Sequence, residues 1–205
     1  MGKVKIKKSD VWIDMTQMSD VMVLLLTFFM MTSTFVKNEA VKVVTPMSVS
    51  EIKVPENNVM TLLVDKQGRI FAGMDTPAKQ QTLLEDMAAK YGVSLSQEAL
   101  EVGRASANIG VAMKDLVLLL SQPAEKVNEF QQTRGIPTDS VEGGMSEFQD
   151  WVAAAYEANG EDMKLAIKAD QGTPYKVIKK MMSELQDMNR NRYFLITSYK
   201  TNSED

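Results

Sequence analysis

The run from Val21 to Val36 reads VMVLLLTFFMMTSTFV without a single charge, and an aspartate, Asp20, stands directly in front of it. As a helix the run would rise about 24 Å, short of the roughly 30 Å hydrocarbon core of a bilayer. Extending it back to Val11 reaches spanning length but takes in Asp14, Thr16, Gln17 and Asp20. The expectation is one transmembrane helix over 11–36. Lys3, Lys5, Lys7 and Lys8 precede it and a long mixed-charge region follows. That asymmetry predicts residues 1–10 in the cytoplasm and the remainder on the far side. A cleaved signal peptide is the competing reading, with the lysines as its basic region and Val21 to Met31 as its apolar stretch. Against it, no A-x-A-like site follows in TSTFVKNEA, and an Asp opens the apolar stretch.

A charged Asp at the centre of a spanning helix costs about 2.5–3.5 kcal/mol on insertion scales, less toward an end. Thr16 and Gln17 lie four and three residues before Asp20, and Thr27 and Thr34 lie seven and fourteen after it. Helical spacing puts all of them on one side, a polar stripe on an otherwise apolar helix. A stripe of that kind faces protein or water. The plainer reading is that Asp20 marks the cytoplasmic end of a short membrane helix, where the helix dipole favours a carboxylate. If the stripe is functional, a carboxylate reachable from each side in turn can relay protons. Such a relay needs a partner protein, since one helix cannot enclose a path.

Composition narrows the remaining chemistry. Among 205 residues there is no Cys and no His. This removes disulfides, thiolate nucleophiles, imidazole bases and metal sites built on N or S ligands. No acidic run has EF-hand spacing, no cofactor is implied, and no motif supports an enzyme. With a net charge of −4 and dispersed basic residues, the chain has no electrostatic footprint for nucleic acid. The 44% hydrophobic and 24% charged shares are those of a folding chain.

Beyond the apolar run, 37–58 alternates weakly around Pro46 and Pro55 and reads as an extended linker with one edge strand. Met60 to Gly73 reads as a hairpin turning at Asp65 to Gly68. The middle is helical: Thr76 and Pro77 open one helix that Gly92 stops, a second covers 97–120 with a break near Gly110, and a third runs from Pro123 to Gly135. Ser146 and Gln149 form a capping box for a further helix closed by Gly160. Leu165 to Ala169 reads as a strand, Thr173 and Pro174 open a helix, and Tyr193 to Tyr199 reads as a second strand. The expected architecture is therefore a single N-terminal transmembrane helix and an α+β domain over 59–205. That domain is a small sheet with packed helices and a mainly helical insertion at about 75–162.

The string IDMTQMSDVMVLLLTFFMMTSTF resembles the membrane segment of the ExbD/TolR family. Asp20 matches the family's proton-carrying Asp and Thr16 its Thr, while Gln17 stands where Pro is usual. TLLVDKQGRIFAG is similar to the family's first periplasmic hairpin. LAIKADQGTPYKVIKKMMSELQ, with the later YFLITS, is similar to its strand–helix–strand close, with Asp170, Gly172 and Thr173-Pro174-Tyr175 in the connecting turn. The likeness covers Val11 to Gly73 and Met163 to Ser198 and leaves out the helical stretch between. It implies a single-span inner-membrane protein of a diderm bacterium, in a proton-driven motor energising outer-membrane transport. It further implies a homodimer whose two helices a pentamer of an ExbB/TolQ-like multi-span protein encloses in the bilayer, and a periplasmic domain that meets a TonB- or TolA-like transducer. The related flagellar stator subunit shares the Asp-bearing helix, but its OmpA-like wall-binding motifs are missing here. The insertion is either a partner-docking element or a packed elaboration of the domain. The alternative function is a membrane-anchored binding or scaffold protein without ion coupling.

Overall fold

The computed structural model of the chain describes residues 15–33, 39–48, 55, 57–139 and 144–199. The chain divides into two units, 1–36 and 37–205. In the first, α1 (Thr16–Thr32) is 17 residues long, a rise of about 25 Å. Its Leu, Met and Phe residues include no Gly or Pro to break it. The backbone leaves helical geometry at Ser33, whose ψ is 110°. Thr32 closes the last turn by donating its hydroxyl to the Phe28 carbonyl at 2.8 Å. None of its side chains is buried, and Met31 is 87% exposed. Among the described residues no helix is long and apolar enough to cross a membrane. The remainder of the expected 11–36 span, at 11–14 and 34–36 with Asp14 and Thr34, lies outside the described residues.

The second unit is built on a four-stranded mixed sheet of β2 (Val59–Val64), β3 (Ile70–Met74), β4 (Lys164–Ala169) and β5 (Tyr193–Leu195), in the order β3-β2-β4-β5. The hairpin pair β2 and β3 is antiparallel, with Leu62 opposite Ala72, whereas β4 runs parallel to both β2 and β5. Asp65 turns the hairpin: its carboxylate accepts the Gln67 and Arg69 amides, each at 2.9 Å, and Gly68 takes a φ of 81° that a side chain would resist. Between β4 and β5 runs α7 (Tyr175–Asp187), which buries Met181 and Leu185.

The middle of the chain supplies α2 (Pro77–Lys90), α3 (Gln97–Ala105), α4 (Met113–Leu120), α5 (Ala124–Gln131) and α6 (Glu147–Asn159). The Ser146/Gln149 capping box at the start of α6 is formed as expected. One core joins Met60, Leu62 and Val64 of β2 to Leu83 and Met87 of α2, Leu116 of α4, Trp151 of α6 and Leu185 of α7. Burying each such side chain is worth about 1.5–3 kcal/mol. The segment 75–162 is thus a packed part of the domain, sharing its core.

The break expected near Gly110 within 97–120 is present: between α3 and α4, Ile109 exchanges both backbone hydrogen bonds with Ala72 at 2.8 Å, so the chain leaves helical geometry to pair with the outer edge of β3. Two local expectations need correction. Tyr193 to Tyr199 is two pieces, because β6 (Ser198–Tyr199) turns away from the sheet to pair in parallel with β1 (Met47–Ser48). Finally, Thr173 does not cap α7. Its hydroxyl donates to the Asp65 carbonyl at 2.9 Å, tying the α7 turn to the hairpin.

The stretch read as a linker is fastened to the domain over 39–48. Ala40, only 2% exposed, packs with Leu63 and Phe71 on the sheet face turned away from the main core. The Val44 amide donates to Asp170 Oδ2 and its carbonyl accepts the Gln171 amide, both at 2.9 Å. Lys168 pairs with Glu39 at 2.7 Å, and Ser198 N–H donates to the Pro46 carbonyl at 3.0 Å. These contacts make 39–48 a strap across the sheet.

Candidate functional site

On α1, at about 100° per residue, Thr16 and Thr27 fall within about 40° of the Asp20 direction and Gln17 about 60° to the other side. All four side chains are exposed. The structure therefore carries Thr16, Gln17, Asp20 and Thr27 on one flank of a single helix, while Thr34 lies outside the described residues. The same geometry places Leu24 and Met31 on that flank as well. The polar surface is continuous only from Thr16 to Asp20, and Thr27 is isolated beyond it.

Thr27 is also partly spoken for. Its hydroxyl donates within the helix, to the Val23 carbonyl at 3.0 Å and the Leu24 carbonyl at 2.9 Å. Back-bonding of this kind lets a hydroxyl sit on an apolar helix without an outside acceptor. What Thr27 still offers a partner is its oxygen lone pairs. Asp20 differs: no hydrogen bond or ion pair with another described residue engages its carboxylate. A lone carboxylate on an exposed apolar helix can take up a proton or meet a donor brought by another chain. The apolar surface of Met22, Val23, Leu25, Leu26 and Phe29, with Ser19 at its margin, lies mostly on the other side of the helix.

In the second unit, Asp170 stands out. It is 4% exposed and accepts the Gly172 and Val44 amides, each at 2.9 Å. The Gly172 amide chiefly, then the Val44 amide and the Lys66 charge, hold its carboxyl below the usual Asp range, against the opposing effect of burial. The run Asp170-Gln171-Gly172 was the sequence signal for a turn, but nothing local marked Val44 as its second donor. Among the described residues no group of three or more His, Cys, Asp or Glu could hold a metal ion.

No curated protein and no solved structure gives a significant match to this chain. The family described as biopolymer transport protein ExbD/TolR matches residues 7–199. That span takes in Asp20, the strap, the hairpin and the strand–helix–strand close, and also the helical stretch that the resemblance had left out. By a match over nearly its whole length, the chain belongs to the ExbD/TolR family of inner-membrane-anchored, non-enzymatic proteins of biopolymer transport and its energy transduction.

Proposed function

We propose that this chain is the single-span subunit of a proton-driven inner-membrane motor of the ExbB/ExbD or TolQ/TolR type. In this reading the span covers 11–36, the N-terminus is cytoplasmic, and the domain from 59 onward is periplasmic. Two copies sit within a pentamer of a multi-span ExbB/TolQ-like protein, and the domain hands work to a TonB- or TolA-like transducer. The observation that carries the reading is Asp20, a carboxylate on an apolar helix with no partner among the described residues and with Thr16 and Gln17 beside it. Ionised, the carboxylate seeks a donor on the surrounding partner; protonated, it loses the charge that fixes it and the helix is free to move.

The strap gives that motion a route into the domain. Only residues 34–38 separate the described end of α1 from the strap, and five residues span at most about 18 Å when fully extended. Displacement of the helix beyond that slack pulls first on Glu39, Ala40 and Val44.

A second reading is a membrane-anchored binding or scaffold protein in which Asp20 only positions the helix. The interruption of the polar flank by Leu24 and Met31, with Thr27 bonded to its own helix, favours it. Isolation of the tagged full chain from membranes in mild detergent separates the two. The motor reading expects a multi-span membrane protein to co-purify in excess over this chain. Isolation without any multi-span partner counts against it.

A further inference from the structure

The junction between the helical segment 75–162 and the C-terminal helix contains a buried carboxylate that the motor reading does not use. Glu184, in the last turn of α7, is 9% exposed. Ser146, which caps α6, donates its hydroxyl to Glu184 Oε2 at 2.6 Å and accepts the Gln149 amide at 3.2 Å. Gln149 closes the knot: its Nε2 donates to the Glu184 carbonyl at 3.2 Å and its Oε1 accepts the Ser146 amide at 3.0 Å. The start of α6 and the end of α7 are therefore joined through one titratable group.

Among the described residues the charged groups around Glu184 are few. From its own helix come Lys180 and Asp187, and from the segment before α6 comes Asp139, which is ion-paired with Lys180. The acids in the first turn of α6 are engaged elsewhere. Glu147 accepts the Met113 amide at 2.8 Å, and Asp150 takes Lys90 at 2.8 Å and the Tyr91 hydroxyl at 2.5 Å. Helix dipoles act in opposition here, since the α6 N-terminus favours the anion and the α7 C-terminus disfavours it.

We propose that Glu184 is an acid-responsive latch: its protonation tightens the contact between α6 and α7, and its ionisation loosens it. A proton on Oε1 leaves the Ser146 bond to Oε2 in place while removing a buried charge and its repulsion from Asp139 and Asp187. Burial chiefly, with those two acids, holds the carboxyl above the usual Glu range against the Ser146 bond and Lys180. The closed junction therefore keeps a proton that the open junction has released. Its extra stability is complete below the ordinary Glu value of 4.5 and is lost as pH rises through the higher value of the closed form. The latch stands on the domain fold alone and does not depend on the role of Asp20.

Hydrogen exchange on the full chain in detergent tests it, with intrinsic exchange rates corrected for pH. Wild-type amides in the first turn of α6 and the last turn of α7 should lose protection severalfold as the pH is raised from below the ordinary Glu value of 4.5 to neutral. In Glu184→Gln, which keeps a carbonyl acceptor for Ser146 without a charge, they should stay at the wild-type acid level throughout. Equal pH dependence in the two proteins, or weaker protection of the variant at acid pH, would overturn the proposal. Should the variant fail to fold, carboxyl NMR titration of wild-type Glu184 decides: a midpoint above the ordinary Glu value supports the latch, and one at or below it refutes it.

Discussion

Asp170 and Asp20 carry the same side chain under opposite circumstances. Asp170 is enclosed and held by two backbone amides, whereas Asp20 stands exposed with no described partner. Because its carboxyl is held below the ordinary value of 3.8, the stability Asp170 lends the strap is complete above that value. It is lost as pH falls through the lower value of the folded state. The Val44 amide should accordingly exchange faster in strong acid. In Asp170→Asn, which loses the charge and one acceptor oxygen, it should exchange faster already at neutral pH and show no further acid step. Residue-level hydrogen exchange checks both. The turn that Asp170 makes with Gly172 was implied by the resemblance to the family's closing turn. Its bond to Val44 was not, because the two residues are 126 positions apart and no local pattern encodes a contact across that distance. On α1, spacing gave the alignment of Thr16, Gln17 and Asp20 but not the inward commitment of the Thr27 hydroxyl, which depends on its side-chain rotamer.

Elements whose ends are set by local chemistry were legible in the sequence. Thr76 with Pro77 and the Ser146/Gln149 box cap where short-range rules put them. Elements set by distant partners were legible only in part. Gly110 marked the break between α3 and α4 but not its cause, which is that Ile109 pairs with Ala72 and Gly110 lies flat against Phe71. A Cβ on Gly110 would fall 2.0 Å from the Phe71 Cδ1. Gly110→Ala should therefore destabilise the domain by about 1–3 kcal/mol, the usual range for overpacking, read as a lower denaturation midpoint. An unchanged midpoint would mean that the Phe71 ring can move aside. The edge strand expected within 37–58 is present as β1, but its pairing with β6 was not legible, because β1 is two residues long and its partner begins only at Ser198.

At the scale of the whole molecule, the helical segment decides what the domain can lose. Since Leu83, Met87, Leu116 and Trp151 share one core with the inner face of the sheet, deletion of 75–162 should leave no cooperatively folding domain. Circular dichroism and thermal unfolding of the deleted chain would show this, and a retained sharp transition would contradict it. A docking role for the segment is better probed on its surface, for example at Leu118, which is 49% exposed. Family and overall class were legible from the membrane string, the hairpin and the closing turn. The fastening of 39–48 to the sheet emerges only when residues far apart in sequence are brought together.

The central claim is that Asp20 carries the proton that drives this chain. Its most direct test is gradient-dependent function of Asp20→Asn, in cells where the variant reaches wild-type levels and still co-purifies with its multi-span partner. The motor account predicts loss of that function, because Asn keeps the size of Asp and resembles its protonated form but cannot be loaded and unloaded with a proton. Full gradient-dependent function in Asp20→Asn would contradict it and leave Asp20 as a marker of the helix end.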